Sequence, residues 1–75
     1  MQHKGKDFAE RLNKCLDEMG MPINSKERSA TLSKMLDIPK QQAWNLTEGH
    51  LIPDDTLLQQ IATELEVEPN WLLGK

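Results

Sequence analysis

Apolar residues recur along this chain at helical intervals, interrupted wherever turning residues cluster. Phe8, Leu12, Cys15, Leu16 and Met19 stand at i, i+4, i+7, i+8 and i+11, a spacing that gathers side chains on one face of a helix, and Gly20 ends the series. Gly20-Met21-Pro22 breaks the periodicity. Asn24, with Glu27 three residues later, has the form of a capping box that opens a second helix running to about Leu36. Leu32 and Leu36 share a face of that helix, and Ser33 beside them is small enough for another helix to cross closely. Asp37 is predicted to make a tight turn, because Asp enters the left-handed region with little strain. Ile38 then plugs into the core, and Pro39 takes the first position of a third helix, where a preset φ and a missing amide hydrogen cost nothing. Ala43 and Leu46 face inward on this helix, Lys40, Gln41, Trp44, Asn45 and Glu48 project outward, and Gly49 is its stop.

The connector from Gly49 to Pro53 is expected to tuck Leu51 or Ile52 inward, and Asp54 or Asp55 to cap a fourth helix striped by Leu57, Leu58, Ile61, Ala62 and Leu65. Val67-Glu68-Pro69 begins a last short turn that carries Trp71, Leu72 and Leu73. No segment has the two-residue alternation of a strand, so the fold class is all-α. Seventy-five residues suffice for one domain and not two, and a core of this size needs close helix packing. Residues 1–6 are expected to be a flexible, frayed N-terminus and residues 7–75 the domain.

Composition narrows the function. Hydrophobic residues make up 37% and charged residues 28%, and no apolar run approaches membrane-spanning length. The opening MQHKGKDF has no apolar signal core, and the single Cys15 has no internal disulfide partner, which together point to a reducing cytoplasm. Cys15 itself reads as a small buried hydrophobe. His3 and His50 are isolated, no zinc-ligand spacing or phosphate-loop glycine pattern occurs, Asp54 and Asp55 read as helix-cap charges, and Asp17-Glu18 as a solvated pair. Catalysis is therefore not expected, and no cofactor or metal is implied.

The net charge of −3 opposes a phosphate-binding role, which ordinarily calls for a basic surface. Its distribution weakens that objection. Residues 1–50 hold eight Lys/Arg against seven Asp/Glu, whereas residues 51–75 hold one against five. The acid is thus concentrated beyond the third helix, and fields between exposed charges fade over roughly 8 Å at physiological salt.

With helix, small residue, turn and amide-rich helix in order, the chain resembles the helix-turn-helix domains of the lambda-repressor-like family, which includes phage repressors, Cro proteins and xenobiotic-response-element-type transcriptional regulators. The likeness rests on Leu32, Ser33, Asp37, Ile38, Ala43, Leu46 and Gly49, on the closing PDDTLLQQIATELEVEPNWLL, and on the opening FAERLNKCLDEMGMP, which is similar to one phage-repressor branch. The resemblance implies a compact five-helix DNA-binding domain with the helix-turn-helix at helices 2 and 3. It also implies a third helix in the major groove and a homodimer on a double-stranded operator. In that branch such a domain is commonly followed by an oligomerisation or self-cleaving domain. The implied function is sequence-specific repression of transcription; the alternative is a protein-binding helical module of antitoxin or antirepressor type on the same scaffold.

Carried over by position, base reading falls on Lys40 and Gln41 and, one turn later, on Asn45, with Gln42 nearer the edge. Lys suits guanine N7 and O6, while Gln and Asn suit adenine N6 and N7, each good pair giving roughly 1–3 kcal/mol of discrimination. Trp44 stands where the family commonly has a small or polar residue. It either stacks on a thymine methyl or a sugar, meets a partner protein, or folds back beside helix 2. Ser29 takes the place of a phosphate-binding glutamine, so the backbone contact passes to Ser29, Arg28 or Lys26, aided by helix-2 amides, with His50 contributing. Glu48, where an amide or base is usual, would repel phosphate. Dimerisation is implied by the family and by the apolar Trp71-Leu72-Leu73, in which Trp71 or Leu72 either meets a second subunit or completes the domain's own core.

Overall fold

The computed structural model describes residues 4–74 and consists there of five α-helices: α1 (Lys4–Glu18), α2 (Ser25–Leu36), α3 (Lys40–Glu48), α4 (Asp55–Leu65) and α5 (Pro69–Leu72). Among the described residues there is no strand. None of these helices is long and apolar enough to cross a membrane. Phe8, Leu12 and Leu16 from α1, Leu32 and Leu36 from α2, Ala43 and Leu46 from α3, Leu57, Leu58, Ile61 and Ala62 from α4, and Leu72 from α5 form one core. It fills a body of 29 × 26 × 22 Å.

The sequence pattern anticipates α1 except at both ends. Residues 4–6, expected to be frayed, belong to its first turn, and residues 1–3, with His3, lie outside the described residues. The reason is a close backbone contact that requires two glycines. A Cβ on Gly5 would lie 2.6 Å from the Gly49 carbonyl oxygen, and one on Gly49 would lie 3.2 Å from the Lys6 Cα. The start of α1 is thereby seated against the end of α3. At the other end Met19, assigned to the apolar stripe, is 53% exposed. The helix stops at Glu18, Gly20 turns at φ 77°, and Met21 packs on the core in its place.

Asn24 caps α2 as predicted, its Oδ1 accepting from the Lys26 amide (2.9 Å) and the Glu27 amide (3.2 Å). Asp37 ends α2 in the left-handed conformation (φ 57°, ψ 51°), and the Ile38 amide donates to the Ser33 carbonyl at 3.1 Å. The Ser33 hydroxyl donates to the Ile38 carbonyl, so Ser33 latches the turn as well as being small. Pro39 is one place earlier than expected, serving as the N-cap of α3 with Lys40 as first helical residue. Gly49 closes α3 at φ 84°. Asp54, rather than Asp55, caps α4 through the Leu57 amide at 2.8 Å. In the connector Leu51 packs on the core and Ile52 stays exposed. Leu72 is fully buried and completes this domain's own core, while Trp71 is partly buried.

Candidate nucleic-acid interface

The orientation of α3 relative to α2 determines what its outer face can meet. The two helices are joined by only three residues, 37–39, and Gln60 Nε2 adds a bond to the Leu36 carbonyl at 2.9 Å. A second frame runs through α1. Asn13 Nδ2 donates to the Thr47 carbonyl at 2.9 Å, and Asn13 Oδ1 accepts from Arg28 Nη1 at 3.1 Å. Arg28 also donates from Nε to the Pro22 carbonyl (2.7 Å), and from Nη2 to the Met21 carbonyl (3.2 Å) and to Asp17 Oδ1 (2.6 Å). The end of α3, the middle of α1 and the start of α2 are thus tied through one guanidinium.

This arrangement corrects the expectation that Arg28 contacts a DNA backbone. Arg28 is 5% exposed and its donors are committed to the α1–α2 connection. Asp17, expected to be simply solvated, is its ion-pair partner, though well exposed itself. Most of the fixing therefore comes from carbonyl groups that would be left without donors if Arg28 were removed. The signal was present in the sequence: Arg28 and Ser29 precede Leu32 by four and three residues, which places both on the inward stripe of α2. Ser29 is accordingly in the second turn of α2 rather than at its start, and is 4% exposed. The helix-2 amides expected to face an anion are partly taken, since Asn24 occupies those of Lys26 and Glu27.

The remaining predicted residues converge. Asn24, Ser25, Lys26 and Ser29 from the start of α2, with Lys40, Gln41 and Trp44 from α3, line an open cleft of about 550 Å³. Its lining includes two lysines and no carboxylate. The buried Ser29 Oγ has no hydrogen-bond partner among the described residues, and a buried hydroxyl without a partner costs on the order of 1–3 kcal/mol. Trp44 is 37% exposed, lies against this cleft, and meets the His50 ring at a centroid distance of 5.2 Å and an interplanar angle of 34°. Trp44 thus borders the cleft opposite the start of α2 while leaving part of its ring in solvent.

With 3.6 residues per turn and Ala43, Leu46 and Thr47 buried, the middle of the outer face of α3 consists of Gln41, Asn45 and Glu48. Gln41 Nε2 donates to Asn45 Oδ1 at 3.3 Å, which leaves Asn45 Nδ2 and Gln41 Oε1 free to serve as donor and acceptor. Gln42 falls on the flank away from the cleft and is half-buried. Glu48 accepts from the Ser25 hydroxyl at 3.2 Å, which draws its carboxylate toward the start of α2. His50 is exposed just beyond Gly49. No family model, curated protein or solved structure matches this chain.

Proposed function

We propose that this chain is a sequence-specific DNA-binding transcriptional regulator of repressor type, with α2 and α3 acting as a helix-turn-helix of the lambda-repressor-like kind. The observation that carries the reading is the joining of a hydrogen-bonded amide pair, the exposed Gln41 and the half-buried Asn45, to a lysine-lined cleft. Gln41 and Asn45 read base edges in the major groove, with Lys40 at the entry of α3 positioned for guanine. Lys26 holds a backbone phosphate at the mouth of the cleft, and His50 contributes from the end of α3. Trp44 borders both groups and fits against a sugar or a thymine methyl. Two protomers on a two-fold operator would place their α3 helices about 34 Å apart, one turn of duplex.

Few cations face the DNA, so binding should depend only modestly on salt. With one lysine–phosphate contact per protomer, Lys26, the slope of log K against log salt is roughly −1 per half-site. The test begins with selection of bound duplex from a random pool. Replacing Lys40, Gln41 and Asn45 by Ala should then weaken the selected duplex at least tenfold while leaving the far-ultraviolet helical spectrum intact. Unchanged affinity in that triple variant would remove α3 as the reader, and no binding of any duplex at low salt would remove the DNA reading.

One observation favours the second reading, a protein-binding module of antitoxin or antirepressor type. Glu48 puts a carboxylate on the same face as the amides, beside a half-exposed Trp44. That combination suits a protein surface bearing a base and an apolar group.

A further inference from the structure

A second groove, about 600 Å³, lies between α1 and the α4–α5 connection and shares no lining residue with the lysine-lined cleft. Its floor is apolar: Cys15, Val67 and Trp71. Cys15 is buried and its thiol pKa is pushed up by that burial, with Glu18 adding to the effect and Lys14 opposing it, so the sulfur stays a neutral, oily surface. Val67 and Trp71 pack on the core yet keep part of their surface in solvent. Three carboxylates, Glu18, Glu66 and Glu68, border the floor against one base, Lys14.

We propose that this groove docks a basic, amphipathic segment of a partner protein, whose apolar side chains cover Cys15, Val67 and Trp71 while its Lys or Arg residues meet the three glutamates. The rim excludes nucleic acid by repulsion. It also disfavours a second copy of this chain. The lysine-lined cleft is the surface of complementary charge, and seating it in the groove of another copy gives a head-to-tail contact that does not close on itself. The Trp71 ring already accepts one guanidinium, that of Arg11 at 5.8 Å from its centroid, which is the chemistry a second arginine or lysine would use. Glu66 adds a separate indication. It holds the left-handed position that ends α4 (φ 57°, ψ 45°), where glycine is the unstrained choice. The chain thus carries a carboxylate on the rim at a position where glycine would fold better.

That last feature permits a test in which loss of folding cannot mimic loss of the site. Trp44 and Trp71 are the only two tryptophans, so a ¹⁵N-labelled chain has one indole N–H signal for each cleft, assigned with Trp44→Phe. The probe is a 14-residue amphipathic peptide of leucine and lysine. It should shift the Trp71 indole and the amides of residues 14–18 and 66–68, leaving the Trp44 indole in place. Glu66→Gly combined with Glu68→Gln should weaken the peptide about fivefold, as expected for two exposed charge pairs, while raising thermal stability. Glu64→Gln, an exposed acid outside the groove, should leave affinity unchanged. The proposal is overturned if the double variant binds as tightly as the parent, or if the peptide shifts both indoles alike. It is equally overturned if dilution of the free chain moves the Trp71 signal, since the occupant would then be a second copy.

Discussion

The cleft of about 550 Å³ between the starts of α2 and α3 is lined by two lysines and no carboxylate, with Glu48 held at its edge by Ser25, whereas the groove of about 600 Å³ along α1 is lined by three carboxylates and one lysine. Their floors differ in the same sense. The first contains a buried hydroxyl without a partner, the second a buried thiol among apolar neighbours. A net charge of −3 describes neither surface. Screening confines each field to its own neighbourhood, so a chain that is acidic overall presents a phosphate-compatible face and a cation-compatible face side by side. The total charge of a small domain is therefore a weak guide to its partner, and the local sign at a concave surface is a better one.

The most severe way to break this comparison is to disable both sides at once. Arg28 ties α1, which walls the acidic groove, to the start of α2, which walls the basic cleft. Arg28→Met should cost about 2 kcal/mol, because the Pro22 and Met21 carbonyls and the Asn13 side chain lose their donors in a part-buried setting. That is a large share of the roughly 5–15 kcal/mol that holds a domain together, and urea unfolding would show it as a lower midpoint. Gly5→Ala should be one-sided. Its Cβ meets the Gly49 carbonyl oxygen, so the first turn of α1 must shift away from the end of α3, near His50, at a cost of about 1–3 kcal/mol. Amide exchange should then rise at residues 5–8 and 49–50 and stay unchanged at 66–68. Glu48→Gln should have the smallest effect on folding and sharpen the contrast in charge. It removes the one carboxylate drawn to the start of α2, and duplex affinity should rise about threefold, most clearly at low salt.

Much of the scaffold was legible because single residues at single positions determine it. Asn24, Asp37, Gly49 and Asp54 each cap or turn a helix by local chemistry, and each does so in the structure. The apolar periods of α1 and α4 likewise identified core residues, apart from Met19, whose place in the turn no period of 3.6 can register. The contact surface was harder to read. Lys26, Lys40, Gln41 and Trp44 do share one cleft, but Arg28 and Ser29 were assigned by chemical type rather than by phase along α2. Their spacing from Leu32 shows that both turn inward. The Gly5–Gly49 contact and the Asn13 link to Thr47 join residues more than 30 positions apart, and nothing local in the chain announces such pairings. The acidic groove was half legible, as an excess of Glu near the C-terminus, but its floor depends on Cys15 meeting Val67 and Trp71 across two helices.

The most direct test of the central claim is a titration of the ¹⁵N-labelled chain with its selected duplex, following the two indole signals together. The account predicts that the Trp44 indole and the Gln41 and Asn45 side-chain amides shift and saturate at one duplex half-site per protomer, while the Trp71 indole stays within its line width. A shift of the Trp71 signal with Trp44 unmoved would contradict it, because the acidic face would then be the one that meets DNA.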